Sequence, residues 1–104
     1  DMMLDVRFLP NPFFIEALRH QTGTDGVVAE FILSRAETSA FLHHTDVLLE
    51  STLPLYEREG KSYLTLAIGC TGGRHRSVAI AEELGKHIRM WDYTVRVHHR
   101  DLQR

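Results

Sequence analysis

Apolar and polar residues alternate over 4–9, as Leu4-Asp5-Val6-Arg7-Phe8-Leu9, the pattern of a strand with one buried face. Pro10-Asn11-Pro12 ends that strand, because neither proline can donate to a ladder. A short helix is expected over 13–20 and a second over 26–34, capped by Thr24 or Asp25. Residues 37–59 carry a long helical pattern. Phe41, Leu48 and Leu55 recur at heptad spacing and are expected in the core, while Leu42, Leu49 and Tyr56 repeat one step along. Pro54 predicts a kink or a restart there, and Gly60 predicts a stop.

Residues 63–68 are nearly continuous in apolar and β-prone types, as in a parallel strand covered on both faces, so this strand is expected at the sheet centre. A glycine-rich turn over 69–73 leads into a helix over 74–90, with Ile80, Ala81, Leu84 and Ile88 on one face. Alternation returns over 94–98 and predicts a third strand. The order strand, helices, strand, helix, strand requires right-handed crossovers. The expected fold class is therefore α/β, a small three-layer domain with a mainly parallel sheet of about three or four strands. No repeat or linker divides the chain, so residues 1–104 read as one domain.

Composition narrows the function. No apolar run approaches the roughly 20 residues of a membrane-spanning helix. The single cysteine, Cys70, excludes an internal disulfide and suits a reducing compartment, so cytoplasm is the expectation. A formal net charge of −2 argues against a protein that coats nucleic acid by charge alone, yet Arg89, Arg96, His98, His99, Arg100 and Arg104 gather at the C-terminal end. Asp1 precedes Met2, which suggests a segment of something longer.

The informative stretch is Gly69-Cys70-Thr71-Gly72-Gly73-Arg74-His75-Arg76-Ser77. A strand feeding a glycine-rich turn and then a helix aims free backbone N–H groups, backed by the helix dipole, at one point. Thr71 and Ser77 add hydroxyl donors. Arg76 can grip a phosphate through paired N–H groups, and Arg74 and His75 add positive potential. Ligands of open parallel sheets sit beyond the carboxyl ends of the strands, which brings Asn11, the glycine loop and the segment 98–100 toward one rim. Arg7, held by Asp5 on the same strand face, is expected to point there too. The expected anion site is thus Thr71, Gly72, Gly73, His75, Arg76 and Ser77 with Asn11 and Arg7, its ligand a phosphosugar, or phosphate or sulfate in its place. No Gly-Lys-Ser/Thr closes the loop, so it is not an ATP-binding P-loop.

Cys70, Gly73 and Arg76 also carry a Cys-x2-Gly-x2-Arg spacing followed by Ser77, similar to the phosphate loop of cysteine-dependent phosphatases. In that alternative Cys70 and Arg76 are catalytic. Gly69 stands where that family usually has histidine, and no aspartate is placed as general acid. Metal binding is not expected: His98 and His99 are neighbours on a strand pattern and face opposite ways, and His43 and His44 are adjacent on a helix.

A longer match covers nearly the whole chain. Asp5-Val6-Arg7-Phe8-Leu9-Pro10-Asn11-Pro12, Thr22-Gly23, Ser62-Tyr63-Leu64-Thr65, Ile68-Gly69-Cys70-Thr71-Gly72-Gly73 and His75-Arg76-Ser77-Val78 resemble, in that order, the C-terminal domain of the RapZ family. These are bacterial RNase adaptors, also called YvcJ-type nucleotide-binding proteins. The resemblance implies an N-terminal P-loop domain, outside this chain, that binds and hydrolyses ATP or GTP, and no catalysis or cofactor in this domain. It implies sensing of glucosamine-6-phosphate by a loop that maps onto Thr71, Gly72, His75 and Arg76. It further implies a homo-oligomer that presents a small regulatory RNA to an endonuclease, here through Arg96, His98, Arg100 and Arg104. Two departures stand out. Phe13 takes the place of a histidine after Pro-Asn-Pro, and the tail has fewer cations than the family's lysine- and arginine-rich one.

Overall fold

A computed structural model describes residues 1–71 and 75–100. Strand β1 (Met2–Asp5) pairs in parallel with β2 (Leu66–Gly69), Met2 opposite Leu66 and Asp5 opposite Gly69. Between them lie helices α1 (Gly26–Leu33) and α2 (Ala36–Arg58), and α3 (Arg76–Met90) follows β2. The molecule is therefore α/β with a parallel sheet, as the pattern implies. Met2, Leu4, Leu66 and Ile68 turn toward a core of Val6, Val28, Ile32, Leu49, Ile80 and Leu84.

The sheet is smaller than expected, with two strands among the described residues. Three differences have local causes. First, β1 stops at Asp5 instead of running to Leu9. The Asp5 carboxylate accepts the Arg7 amide at 3.0 Å, and the Leu9 amide bonds back to Val6, so a turn replaces the ladder. Second, β2 is covered on one face only: Ala67 is exposed, as is Met3 beside it in the ladder. Third, residues 94–98 are extended but form no ladder. They run back along α3, with Val97 against Gly85 and His99 Nε2 2.8 Å from Glu82 Oε1. A cleft of about 760 Å³ lies between this segment and β2, lined by Leu64, Leu66, Val95 and Val97 among others.

The helices follow their end signals. Asp25 is the N-cap of α1. Helix α2 continues through Pro54 without restarting. It ends at Gly60, whose φ of 80° is the left-handed conformation that glycine adopts at least cost. There the Gly60 amide bonds to Glu57 and the Lys61 amide to Tyr56, the paired closure of a Schellman motif. The α2 core stripe is not Phe41, Leu48 and Leu55, since Leu48 and Leu55 are each nearly half exposed. It is Thr38, Thr45, Leu49 and Leu53, with Leu42 flanking. Thr45 Oγ1 donates to the Phe41 carbonyl at 2.8 Å within its own helix, whereas Thr38 Oγ1 is buried without a partner among the described residues. The expected helix over 13–20 is instead a 3-10 turn, Pro12–Phe14, followed by hydrogen-bonded turns. No helix among the described residues is long and apolar enough to cross a membrane.

Candidate functional site

The parallel register brings the ends of both strands to the same edge of the molecule, so the loops after Asp5 and Gly69 emerge side by side. The first loop is shaped by Asn11. Its side chain accepts the Phe13 amide at 3.0 Å and starts the 3-10 turn with Pro12 in the first position. The second loop runs from Cys70 and Thr71 to His75, the N-cap of α3. No side chain of that N-cap residue closes the helix, so its first-turn amides rely on other partners.

A cleft of about 470 Å³ opens between the two loops, a size suited to a small metabolite. Asn11, Phe13 and Phe14 line one side, Thr71 and His75 the other, with Arg19 and His20 completing the wall. His75 is 6% exposed, and its Nε2 is buried without a hydrogen-bond partner among the described residues. A buried imidazole nitrogen without a partner, at the start of a helix, is the kind of group that a bound ligand satisfies.

Arg76 stands behind the cleft. It is 4% exposed, and its Nη1 donates to the carbonyls of Arg7 and Leu9, at 3.2 Å for the latter. The guanidinium thus fastens the start of α3 to the loop after β1. Its Nε has no partner among the described residues. Arg7 lies on the exposed face of that loop with Nε 2.8 Å and Nη2 2.8 Å from Asp5 Oδ2, as the shared strand face suggested. Those hydrogen bonds from Arg7 hold the Asp5 carboxyl below its ordinary value, with a smaller contribution from the Arg76 charge, and they raise the Arg7 pKa in turn.

Cys70 and Ser77 form a reciprocal pair. The thiol donates to Ser77 Oγ at 3.2 Å, and the Ser77 amide donates to the sulfur at 3.3 Å. A thiolate phosphatase needs its arginine above the sulfur to bind phosphoryl oxygens. Here the Arg76 Nη1 bonds run to the β1 loop instead.

Of the expected ligand residues, Asn11, Thr71 and His75 meet at one cleft and Arg76 ties its two loops together, while Ser77 lines the other cavity, beside β2, and Arg7 is paired with Asp5 on the exposed loop after β1. Gly72 and Gly73, with Arg74, lie outside the described residues, as does Arg104 of the expected RNA-binding set. Arg96, His98 and Arg100 share the exposed side of the extended segment, with Val95, Val97 and His99 turned inward. Sequence reasoning missed Phe14, Arg19 and His20, which carry no motif. Their only signal is an aromatic and basic cluster just after Pro-Asn-Pro. It also missed the support beneath His75, where Gly23 lies so close to the α3 start that an added Cβ would meet the His75 carbonyl and stand 2.6 Å from the Ala79 nitrogen.

A family model described as the RapZ C-terminal domain matches residues 1–103. Among curated proteins, the chain is 52% identical over its whole length to a nucleotide-binding protein of Citrifermentans bemidjiense, of which it covers 36%. It is 54% identical over its whole length to nucleotide-binding proteins of Anaeromyxobacter sp. (strain K) and Brevibacillus brevis, covering 35% of each. The chain spans about a third of the length of these relatives.

Proposed function

The chain belongs to the RapZ C-terminal domain family, and on that footing we propose that it is a regulatory binding domain holding a phosphorylated sugar of the amino-sugar class in the cleft at the head of α3. The observation that carries this reading is the meeting of Asn11 with Thr71 and His75 at a helix start whose N-cap side chain makes no cap bond, with a buried His75 nitrogen left without a partner among the described residues. The phosphate sits against the α3 amides, where the dipole and the Thr71 hydroxyl favour a dianion. Arg76 contributes by fixing the two loops relative to each other and by adding buried positive charge behind them.

The domain performs no chemistry of its own in this reading, and the nucleotide binding for which the relatives are named resides in the remainder of the polypeptide. Arg96, His98 and Arg100 offer a short basic edge to an RNA backbone. An RNA bound there loses affinity steeply with added salt, and the RNA in turn is handed to an endonuclease.

The test is calorimetric titration with glucose-6-phosphate, glucosamine-6-phosphate and N-acetylglucosamine-6-phosphate, each beside its unphosphorylated sugar. Saturable binding is expected for phosphorylated sugars alone. Thr71→Val, at an exposed position, should weaken it by about tenfold, the worth of one hydrogen bond to a charged group. If no phosphosugar binds saturably, the proposal is wrong.

A further inference from the structure

We propose that the exposed apolar stripe of α2 is a self-docking surface, on which a second copy of this chain lays its own α2 in the antiparallel sense. Phe41, Leu48 and Leu55 recur every seven residues, and the fold leaves them beside the core instead of in it. Leu48 and Leu55 are each nearly half exposed. Phe8, exposed by more than half, extends the stripe with its ring 5.5 Å from that of Phe41. From Phe41 to Leu55 the stripe runs about 21 Å along the helix. The opposite flank of α2 is already occupied: Asp46 lies 2.9 Å from His87 of α3, and Glu57 accepts from Tyr93.

A repeat of seven is the spacing at which two helices stay in contact over several turns. The residues beside the stripe decide the partner and its direction. Glu37, His44, Ser51 and Arg58 follow the same spacing, and all four are exposed. Neither Glu37 nor Arg58 forms an ion pair among the described residues. Parallel copies would set each residue against itself, Glu37 on Glu37 and Arg58 on Arg58. Antiparallel copies with Leu48 on the two-fold axis put Phe41 opposite Leu55. They also bring Arg58 within one residue of Glu37, and Ser51 within one residue of His44. The row is thus complementary to its own reverse, which is what a second copy presents. Such a contact makes every pair twice and closes at two chains.

Sedimentation velocity over a concentration series at low ionic strength measures the association, and a reversible monomer–dimer equilibrium is expected. Leu48→Lys sets a charge against its own copy on the axis and should raise the dimer Kd at least about tenfold. A thermal melt close to that of the native chain shows that this exposed position leaves the fold intact. Glu37→Arg and Arg58→Glu should each raise the Kd about threefold or more, since each brings like charges together twice. Combining them in one chain restores opposite charges and should return the native Kd. A chain that stays monomeric at every concentration overturns the proposal and leaves the stripe to another partner. A dimer indifferent to Leu48→Lys, or one that the charge-reversed pair fails to recover, overturns it as well.

Discussion

Gly23→Ala is the substitution that most sharply separates packing from backbone effects beside the cleft. A Cβ at this position would collide with the His75 carbonyl and lie 2.6 Å from the Ala79 nitrogen and 2.8 Å from Val78 Cβ. Two of those three neighbours are backbone atoms of the first turn of α3, which cannot move independently of the helix. Gly23 is not among the positive-φ residues, so alanine costs nothing in backbone conformation and the whole effect is steric. Forcing a methyl into a filled interface costs about 1–3 kcal/mol, which in a domain of this size lowers the melting temperature by roughly 5–20 °C. Because the push falls on His75, phosphosugar affinity should fall along with stability. Gly26→Ala is the control. Nothing lies within 4 Å of its Cβ at the first position of α1, so it should leave Tm unchanged or raise it slightly. Differential scanning calorimetry of the two variants decides the matter. If Gly23→Ala melts with Gly26→Ala and binds as the native chain does, the close approach is not real and the support assigned to the cleft fails.

Three further predictions concern the helix ends and the C-terminal segment. Asp92 holds a φ of 67° just after α3, where the Asp92 and Tyr93 amides bond back to Arg89 and Ile88 as those of Gly60 and Lys61 do to Glu57 and Tyr56 after α2. Asp92→Gly should therefore stabilise by about 0.5–1 kcal/mol in urea unfolding, and Gly60→Ala should destabilise by about 1–2 kcal/mol despite open space around it. Tyr93 donates to Glu57, which raises its pKa above 10.0 with burial adding to the shift. A group raised on folding stabilises fully below its unfolded value and loses that contribution as pH rises through the folded one. Ultraviolet titration should thus find one tyrosine ionising late in the native chain and distinctly earlier in Glu57→Ala, which removes both the acceptor and the charge.

Much of this architecture was legible because local signals and tertiary demands agree. The apolar face of α3, the stop at Gly60 and the parallel sense of the sheet all came from spacing and order along the chain. The failures arose where a side chain competes with a ladder or where two patterns coexist. Asp5 diverts the Arg7 amide, so alternation through Leu9 does not become strand. On α2 two adjacent heptad stripes are apolar, and the buried one is completed by Thr38 and Thr45, which periodicity counts as polar. Residues 94–98 have the right alternation, and their inward side chains do face α3, but pairing depends on a neighbour that no local pattern specifies. At the site, the glycine-loop reading picked out Thr71 and His75. It assigned Arg76 to the ligand, whereas the described bonds of its Nη1 go to the loop after β1, a contact across 67–69 residues of sequence that spacing alone does not reveal.

Backbone amide mapping by NMR during titration with a phosphosugar addresses the cleft most directly. Saturable shifts of Asn11, Phe13, Thr71 and His75, matched in Kd to the calorimetric value and absent with the unphosphorylated sugar, are what a phosphate seated at the start of α3 produces. Saturable shifts that leave those residues untouched and gather elsewhere, such as between β2 and the segment 93–100, would place the ligand in a different cavity and contradict the account.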